Sequence, residues 1–408
     1  MMKKYWLYLE PYTFVFEGRQ GAIVYNSING ESIKVSNTSN LLGIIEELNG
    51  LGSGYCILLE EEQLNQEDVF SFVNDIREKF LGDIVDISVS NGKPFIFKPI
   101  LDLLEDPAKI EREKGFSLRE NVLEYLHEIT IFVGDTCPQN CENCEFYSKQ
   151  GLFCTKIDKK QELSMMDYIF LITRLKTIGI KKINVVCNGA SSDVFMELIE
   201  YLEACEMNVF IYIYYKNIAE SFLDFMHSFD HCFFVVLADK YIDLSKVCKI
   251  GNEGKISYDF YVSSISEYLL LSALADECCL KANFYPFYNG SNDSFMREYV
   301  YLLKEDILEQ KLSKRNIFGR QVFNENLFGK LIIMPNGESY SNLNRDSLGN
   351  IKTDTMNKLV YNELEKKDTW LFTRSIEPCL SCVFRYLCPS PNNYEIFMGK
   401  MNLCNIGD

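Results

Sequence analysis

Residues 128–144 read EITIFVGDTCPQNCENC, so that three thiols, Cys137, Cys141 and Cys144, follow a strand-like apolar run within eight residues. Spacings of three and two residues let one loop ligate three irons of an iron–sulfur cube and leave the fourth iron open to a small molecule. Chance clustering and a zinc site are the alternatives, because the chain has 15 cysteines among 408 residues. The stretch therefore predicts a metal site behind a core strand.

Outward from this stretch, apolar strands alternate with helices, which predicts an α/β domain over residues 128–312. Six repeats favour a parallel sheet curled into a partial (β/α)6 TIM-like barrel. The expected strands are 129–133, 183–186, 209–214, 233–237, 256–262 and 280–284, with helices from Ser164, Ser192 and Asn217, after Ser264, and up to about Leu312. Ligands bind at the carboxyl ends of such strands, where Cys137 is expected.

The CxxxCxxC pattern after the first strand of an α/β unit resembles the signature of radical S-adenosylmethionine (SAM) enzymes. The resemblance implies a 4Fe-4S cluster at Cys137, Cys141 and Cys144 whose open iron chelates SAM. It also implies contacts of SAM with the residue before the third cysteine, here Asn143. The Gly-Gly-Glu motif of the family matches 186–191, which brings in Asn188 and Gly189 as SAM-binding candidates.

Two departures from the family pattern weaken the expected SAM site. Asn143 stands where the family has an aromatic residue, and 186–191 reads VCNGAS, without the carboxylate that receives the SAM ammonium. Loss of one such acceptor costs on the order of 1.5–3 kcal/mol of binding free energy. The alternative interpretation is that Asn188 and Gly189 form only a turn between strand and helix.

A second set of thiols lies near the C-terminus: Cys379, Cys382, Cys388 and Cys404. Four thiolates can complete a closed cubane or a tetrahedral zinc site, and their spacing alone favours neither. The pattern resembles the SPASM extension of radical SAM peptide maturases, over residues 313–408, which implies an auxiliary 4Fe-4S cluster. Asn342 and Asn392 stand where that extension has further cysteines, so one of its two clusters is expected to be missing.

Residues 1–100 are predicted to form an α+β domain, with a strand meander over 12–35 and amphipathic helices over 41–48 and 69–80. This order resembles the winged-helix domain that recognises the leader of a precursor peptide by adding it as a strand. The alternative is a generic N-terminal domain. The charged residues 101–127 are interpreted as a linker.

Composition restricts the environment and the partners. A net charge of −17 makes nucleic acid an improbable partner, and no apolar run is long enough for a membrane span. The N-terminus lacks a secretory signal, which predicts a cytoplasmic protein. In that reducing compartment, the cysteines favour metal sites or buried thiols over disulfides.

Two functional hypotheses follow. In the first, the chain is a radical SAM enzyme that modifies a ribosomally made precursor peptide (RiPP maturation) with an electron donor such as flavodoxin or ferredoxin. In the second, it is a non-catalytic member of the degenerate, pseudo-radical-SAM branch found beside Gly-Gly-leader peptides, and it presents the precursor to a second maturase. The three retained thiols favour the first hypothesis. The missing aromatic residue, carboxylate and auxiliary cluster favour the second, and the catalytic residues are not identified.

Overall fold

A computed structural model of the chain describes residues 3–90, 92–100, 121–134, 137, 139, 141–142, 144–156, 163–188, 192–240, 242–243, 247, 250 and 255–406. The predicted linker 101–127 therefore lies mostly outside the described residues, and its last part contains a short 3-10 helix, Val122–Tyr125. No helix among the described residues is long and apolar enough to cross a membrane.

The N-terminal residues form two antiparallel three-stranded sheets. In one sheet, β1 (Lys4–Leu9) lies between β5 (Cys56–Glu60) and β6 (Gly82–Asp86); the other has the order β2 (Thr13–Gly18), β3 (Gly21–Asn26), β4 (Ser32–Ser36). The helices are α1 (Leu41–Asn49), α2 (Glu61–Leu64) and α3 (Glu67–Glu78). The predicted meander and both predicted helices are confirmed. The central strand β1 was not expected.

One sheet forms the centre of the structure and begins with six parallel strands. They are β7 (Glu128–Val133), β8 (Lys182–Cys187), β9 (Val209–Tyr214), β10 (Cys232–Ala238), β11 (Ile256–Val262) and β12 (Ala282–Pro286). Each is hydrogen-bonded to the next in parallel register. β7 to β11 are almost entirely buried, as is typical of parallel strands. The predicted α/β class with a central parallel sheet is confirmed.

The helices between these strands are α4 (Cys144–Gln150), α5 (Met165–Thr177), α6 (Asp193–Ala204), α7 (Glu220–Met226) and α8 (Ile265–Glu277). Serines cap α5, α6 and α8, as the sequence predicts. The predicted helix start at Asn217 is wrong, because Tyr215–Asn217 form a short 3-10 helix and α7 begins after Ala219. Ser164 Oγ accepts a hydrogen bond from the Asp167 backbone at 3.4 Å, and Ser192 and Ser264 cap α6 and α8 in the same way. Each serine satisfies a backbone N–H that the helix leaves without a carbonyl partner.

The single helix predicted up to Leu312 is wrong. Two shorter helices replace it, α9 (Asp293–Tyr299) and α10 (Lys304–Leu308). The break occurs because the Leu302 backbone N–H donates to the carbonyl of Leu403 at 3.0 Å, which draws the chain out of the helical path. The Asp306 carboxylate then accepts from the Leu303 N–H at 2.6 Å and starts the next helix.

The C-terminal residues extend the central sheet. β13 (Lys330–Ile333) pairs in parallel with β7, and β14 (Glu338–Tyr340) and β15 (Gly349–Asn350) follow in antiparallel register. The remaining helices are α11 (Lys314–Val322), α12 (Met356–Lys366) and α13 (Asn393–Met398). Within the described residues the sheet thus has nine strands, with β7 paired on both sides.

The N-terminal meander and the C-terminal thiol segment share one hydrophobic core. Phe14, Ile23 and Tyr25 of the meander pack with Val383, Phe384 and other apolar residues of the C-terminal part. The turn after β2 touches the same segment, because the Arg19 N–H donates to the Ser381 carbonyl at 2.9 Å. The two ends of the sequence are therefore packed together.

Gly18→Ala tests this contact. A Cβ at Gly18 would clash with the Ser381 carbonyl oxygen and lie 2.8 Å from the Val383 nitrogen. We expect a loss of about 1–3 kcal/mol in the free energy of unfolding, measured in urea, because both neighbours are backbone atoms.

Gly43→Ala is the matched control, because it lies inside α1 with no atom within 4 Å of the added Cβ. It should raise stability by about 0.5–1 kcal/mol. Equal effects of the two substitutions would contradict the close packing at Gly18.

Candidate functional site

The three clustered thiols follow the carboxyl end of β7. The strand ends at Val133, whose carbonyl accepts the Asn188 N–H at 2.7 Å, so the chain leaves β7 beside the end of β8. Gly134 has φ +115°, and a side chain there would collide with the Asn188 backbone. Close backbone contact thus directs the loop that carries Cys137 and Cys141, and Cys144 begins α4.

Polar groups surround the thiols. Asn217 Nδ2 lies 4.0 Å from Cys137 Sγ, and the Lys156 backbone acts to lower the pKa of Cys144. Burial, with further contributions from charge on Cys141 and Cys137, raises the pKa of the Cys144 thiol to about 11. Burial, Asp239 and Cys137 likewise raise the pKa of Cys141. The three thiols are therefore close enough to influence one another.

This arrangement suits a cluster better than a single ion. In the described part of the chain, no three histidine, cysteine, aspartate or glutamate side chains are arranged so as to hold a metal ion. A cubane does not require such an arrangement, because each thiolate binds a different iron of the cube. Three neighbouring thiols on a loop and helix start, with the Asn217 amide directed at Cys137, fit that group.

Polar side chains at the ends of β9 and β10 complete the surroundings of the thiols. The Tyr214 hydroxyl donates to the Asp239 carboxylate, with oxygen distances of 3.2 and 3.3 Å, and it acts to lower the pKa of Cys141. Burial and the charge of Asp239 raise the pKa of Tyr214. Tyr214, Asn217 and Asp239 are additions to the predicted site, and their position at strand ends is the sequence signal that marks them.

Asn188 is the one expected SAM-binding residue that the structure describes, since Asn143 and Gly189 lie outside the described residues. Its side chain is fully buried, and Oδ1 accepts the Thr155 N–H at 2.8 Å. Its Nδ2 has no hydrogen-bond partner among the described residues. An amide donor left without an acceptor in the interior is costly, which makes it a ligand-binding candidate.

A small polar pocket lies at Glu142, the residue that follows Cys141. Its lining includes Glu142, Lys240, Tyr261, Ser263, Glu267 and Asn289. Lys240 Nζ lies 3.8 Å from Glu267 Oε1, and the Ser263 N–H donates to Glu267 Oε2 at 2.7 Å. These groups follow β10 and β11, and their mixture of charges suits a small zwitterion.

A short segment, residues 151–156, follows α4 and packs against the aromatic residues at this end of the sheet. The Phe153 ring stacks on Tyr147 at 4.5 Å between centroids and meets Tyr261 at 5.0 Å and Tyr214 at 5.4 Å. Cys154, the next residue, is buried. Burial raises the pKa of its thiol, and charge on Cys144, Cys137 and Cys141 raises it further.

The four C-terminal thiols line one small cavity. Cys379, Cys382, Cys388 and Cys404 all contribute to its wall, together with Arg374 and Glu395. Burial raises the pKa of Cys388 to about 12, while the neighbouring Arg374 opposes the shift. Four thiols around one cavity fit a closed cubane, in which each thiolate binds a different iron, whereas no three of them are arranged to hold a single metal ion.

A buried ion pair supports the wall of this cavity. Arg374 Nη1 lies 2.9 Å from Glu395 Oε1 and 3.6 Å from Cys379 Sγ, and Nε donates to the Pro389 carbonyl at 2.6 Å. Burial opposes the charged guanidinium, but Cys388 and Glu395 outweigh it and raise the pKa of Arg374. The side chain is therefore a fixed cation beside the thiols.

Asparagines occupy the two positions where the SPASM resemblance has further cysteines. The Asn342 side chain is buried, and its Nδ2 donates to Asn393 Oδ1 at 2.8 Å. Asn392 caps α13 by accepting the Glu395 N–H at 3.0 Å. Both side chains thus have hydrogen-bonding roles in the fold.

Arg374→Met should lower the free energy of unfolding by about 3–5 kcal/mol, because it leaves the Glu395 carboxylate buried without its cation. The measurement is urea unfolding of chelator-treated protein, followed by the fluorescence of the buried Trp370. A second change, Glu395→Leu, should restore most of the loss.

Arg19→Met is the control, since it removes a 3.5 Å pair with Glu377 whose side chains are 74% and 47% exposed. It should cost less than about 1 kcal/mol. An Arg374 effect as small as this would contradict a structural role for the buried pair.

No protein-family model matches the chain, and no curated protein sequence matches it. The chain is, however, similar in structure to proteins of known structure. The crystal structure of Streptococcus suis SuiB bound to its precursor peptide SuiA is 12% identical, with 97% of this chain and 98% of SuiB covered and a TM-score of 0.50. SuiB bound to S-adenosylmethionine is 11% identical, with 97% of each chain covered and a TM-score of 0.52. Over nearly its whole length, the chain therefore has the fold seen in SuiB.

Proposed function

We propose that the chain is an iron–sulfur protein of ribosomal peptide maturation that performs radical SAM chemistry on a precursor peptide. One observation carries the proposal: Cys137, Cys141 and Cys144 follow the carboxyl end of the first parallel strand. The fold is also that of SuiB, which has been solved with SAM and with a precursor peptide. The same proposal includes a partial barrel for the central sheet and a SPASM-like domain for residues 313–408.

The residues of the site have separable roles under this proposal. The three thiols would hold a 4Fe-4S cluster, which when bound supplies the electron for reductive cleavage of SAM. Asn188 offers its free amide N–H to an oxygen of SAM, and Asn143 and Gly189 adjoin it in sequence. Lys240 and Glu267 in the pocket present opposite charges to the amino-acid end of a zwitterionic ligand.

A non-catalytic partner of a second maturase is the second candidate. The packing of Phe153 against Tyr147, Tyr214 and Tyr261 favours it, because this aromatic cluster fills space beside the thiols. The sequence VCNGAS at 186–191 favours it as well, since no carboxylate is present for the SAM ammonium. Its Ala190 lies outside the described residues.

The C-terminal thiols would hold an auxiliary 4Fe-4S cluster that is closed by four cysteines. A closed cluster has no iron free for substrate, so its role is structural or electron transfer from a donor such as flavodoxin or ferredoxin. Arg374, hydrogen-bonded near Cys379, would offset negative charge on the thiolates. Zinc is the alternative occupant of this cavity.

The N-terminal meander is the proposed binding surface for the leader of the precursor. β2 and β4 are the end strands of their sheet, and an end strand offers backbone groups to an added strand. The Asn37 N–H donates to the Gln20 carbonyl just beyond one end of β4, and the Asn26 N–H donates to the Glu31 carbonyl just before the other end. Every second residue between Glu31 and Asn37 therefore directs its backbone N–H and C=O at β3. By this alternation the Lys34 N–H points away from β3.

Lys34→Pro should weaken binding of the precursor encoded beside the gene by at least about tenfold, because proline removes the outward N–H donor. Lys34→Ala, which keeps that donor, should bind almost as the wild type does. Calorimetric titration of the full chain measures both. Equal affinities of the two variants would exclude strand addition at β4.

Dithionite-reduced protein should form 5′-deoxyadenosine slowly from saturating SAM, and the precursor should stimulate the reaction. Cys141→Ala should abolish it, because one iron ligand is lost, whereas Cys205→Ala at the end of α6 should not. Chromatography measures the product. A loaded cluster that yields no 5′-deoxyadenosine with precursor present would identify the chain as a partner of an enzyme.

A further inference from the structure

The meander of β2, β3 and β4 is covered on both faces. Alternate side chains of a strand point to opposite faces, and every residue of its central strand, β3, is buried. On one face, Ala22 and Val24 pack in the N-terminal core with residues of α1 and α3. On the other face, Ile23 and Tyr25 pack with the C-terminal residues. The proposed leader-binding sheet therefore depends on two cores, and one of them belongs to the thiol segment.

The stretch between Cys382 and Cys388 forms much of that second core. Its fully buried members are Val383, Phe384 and Leu387. The ring of Tyr386 also meets that of Phe16 in β2, with 5.7 Å between the centroids. The part of the chain that supports the meander is thus bounded at each end by a candidate metal ligand.

The turn after β2 contacts the backbone beside these ligands. The Arg19 N–H donates to the carbonyl of Ser381, the residue before Cys382, at 2.9 Å. The Gln20 side chain reaches two places. Its Nε2 donates to the Ile406 carbonyl at 3.4 Å, and the Cys382 thiol donates to its Oε1 at 4.0 Å. The meander is therefore in direct contact with one ligand and with the segment that follows the last thiol.

We propose that metal binding at the C-terminal thiols and leader binding at β4 stabilise each other. A metal site joins Cys382 to Cys388 and so fixes both ends of the stretch under β3, which pairs with β4 over Ser32–Ser36. When the metal is lost, the stretch gains conformational freedom. A strand that adds to β4 must then order the stretch as well, which lowers its affinity.

This coupling is reciprocal, because linkage requires a bound leader to raise the metal affinity by the same factor. The inference rests on the proposed function in two respects: a metal is bound at the C-terminal thiols, and the leader adds to β4.

Calorimetric titration of the full chain with a synthetic leader of the precursor encoded beside the gene tests the coupling. Cys379→Ala with Cys404→Ala empties the C-terminal site without changing the stretch 382–388, and it should weaken leader binding at least about fivefold. The matched control, Cys137→Ala with Cys141→Ala, empties the other thiol site and should leave the affinity unchanged. Metal analysis of each protein confirms which site is loaded.

Equal leader affinities of these two double variants would overturn the coupling. Metal-loaded wild-type protein that does not bind the leader would instead overturn leader binding at β4, and the coupling with it.

Metal release gives a readout that needs no peptide. Gly18→Ala places a Cβ 2.8 Å from the Val383 nitrogen, whereas the Cβ of Gly43→Ala has no atom within 4 Å. With Cys137 and Cys141 both replaced by Ala, so that only the C-terminal site is loaded, Gly18→Ala should release metal to pyridylazoresorcinol at least about fivefold faster than Gly43→Ala. Equal release rates would contradict the coupling, and a parent protein without metal would overturn the C-terminal site itself.

Discussion

Pairing of β7 on both sides is the constraint on which the rest of the structure depends. β7 lies between β8 and β13, and the Glu128 carboxylate at its start lies 3.5 Å from Lys182 and 3.4 Å from Lys330, one on each neighbour. Burial opposes the charged form of Glu128, but Lys330, Lys182 and Asn184 lower its pKa overall. The strand that carries the thiol loop is therefore fixed in register, and the C-terminal residues are joined to it directly.

The sequence predicts the local elements well, because their signals are local. Each parallel strand is a short apolar run in the sequence. Ser164, Ser192 and Ser264 cap helices at the starts that the sequence predicts. The position of Cys137 at the carboxyl end of β7 follows from the same pattern. The pairing of β13 with β7 is not predictable in this way. No local sequence signal indicates which distant strand a four-residue strand will pair with.

The candidate site is predictable only in part for the same reason. Clustered thiols are visible as spacing in the sequence, whereas the Tyr214–Asp239 hydrogen bond and the Lys240–Glu267 pair arise from strands that meet only in the folded sheet.

The C-terminal thiols connect metal binding to the architecture. Cys388 belongs to the same core as Phe14 and Tyr25 of the N-terminal meander, and Arg374 and Glu395 line the thiol cavity. Metal binding by residues that pack in a shared core contributes directly to folding free energy. The proposed leader-binding sheet is thus packed against a segment whose stability is expected to depend on its metal.

The central claim is that the two sets of thiols hold iron–sulfur clusters. Combined iron, sulfide and zinc analysis of wild-type protein purified without oxygen tests it most directly, with Mössbauer spectroscopy to identify the cluster type. The account predicts about eight irons and about eight sulfides in each chain and no stoichiometric zinc. Stoichiometric zinc without sulfide would contradict it.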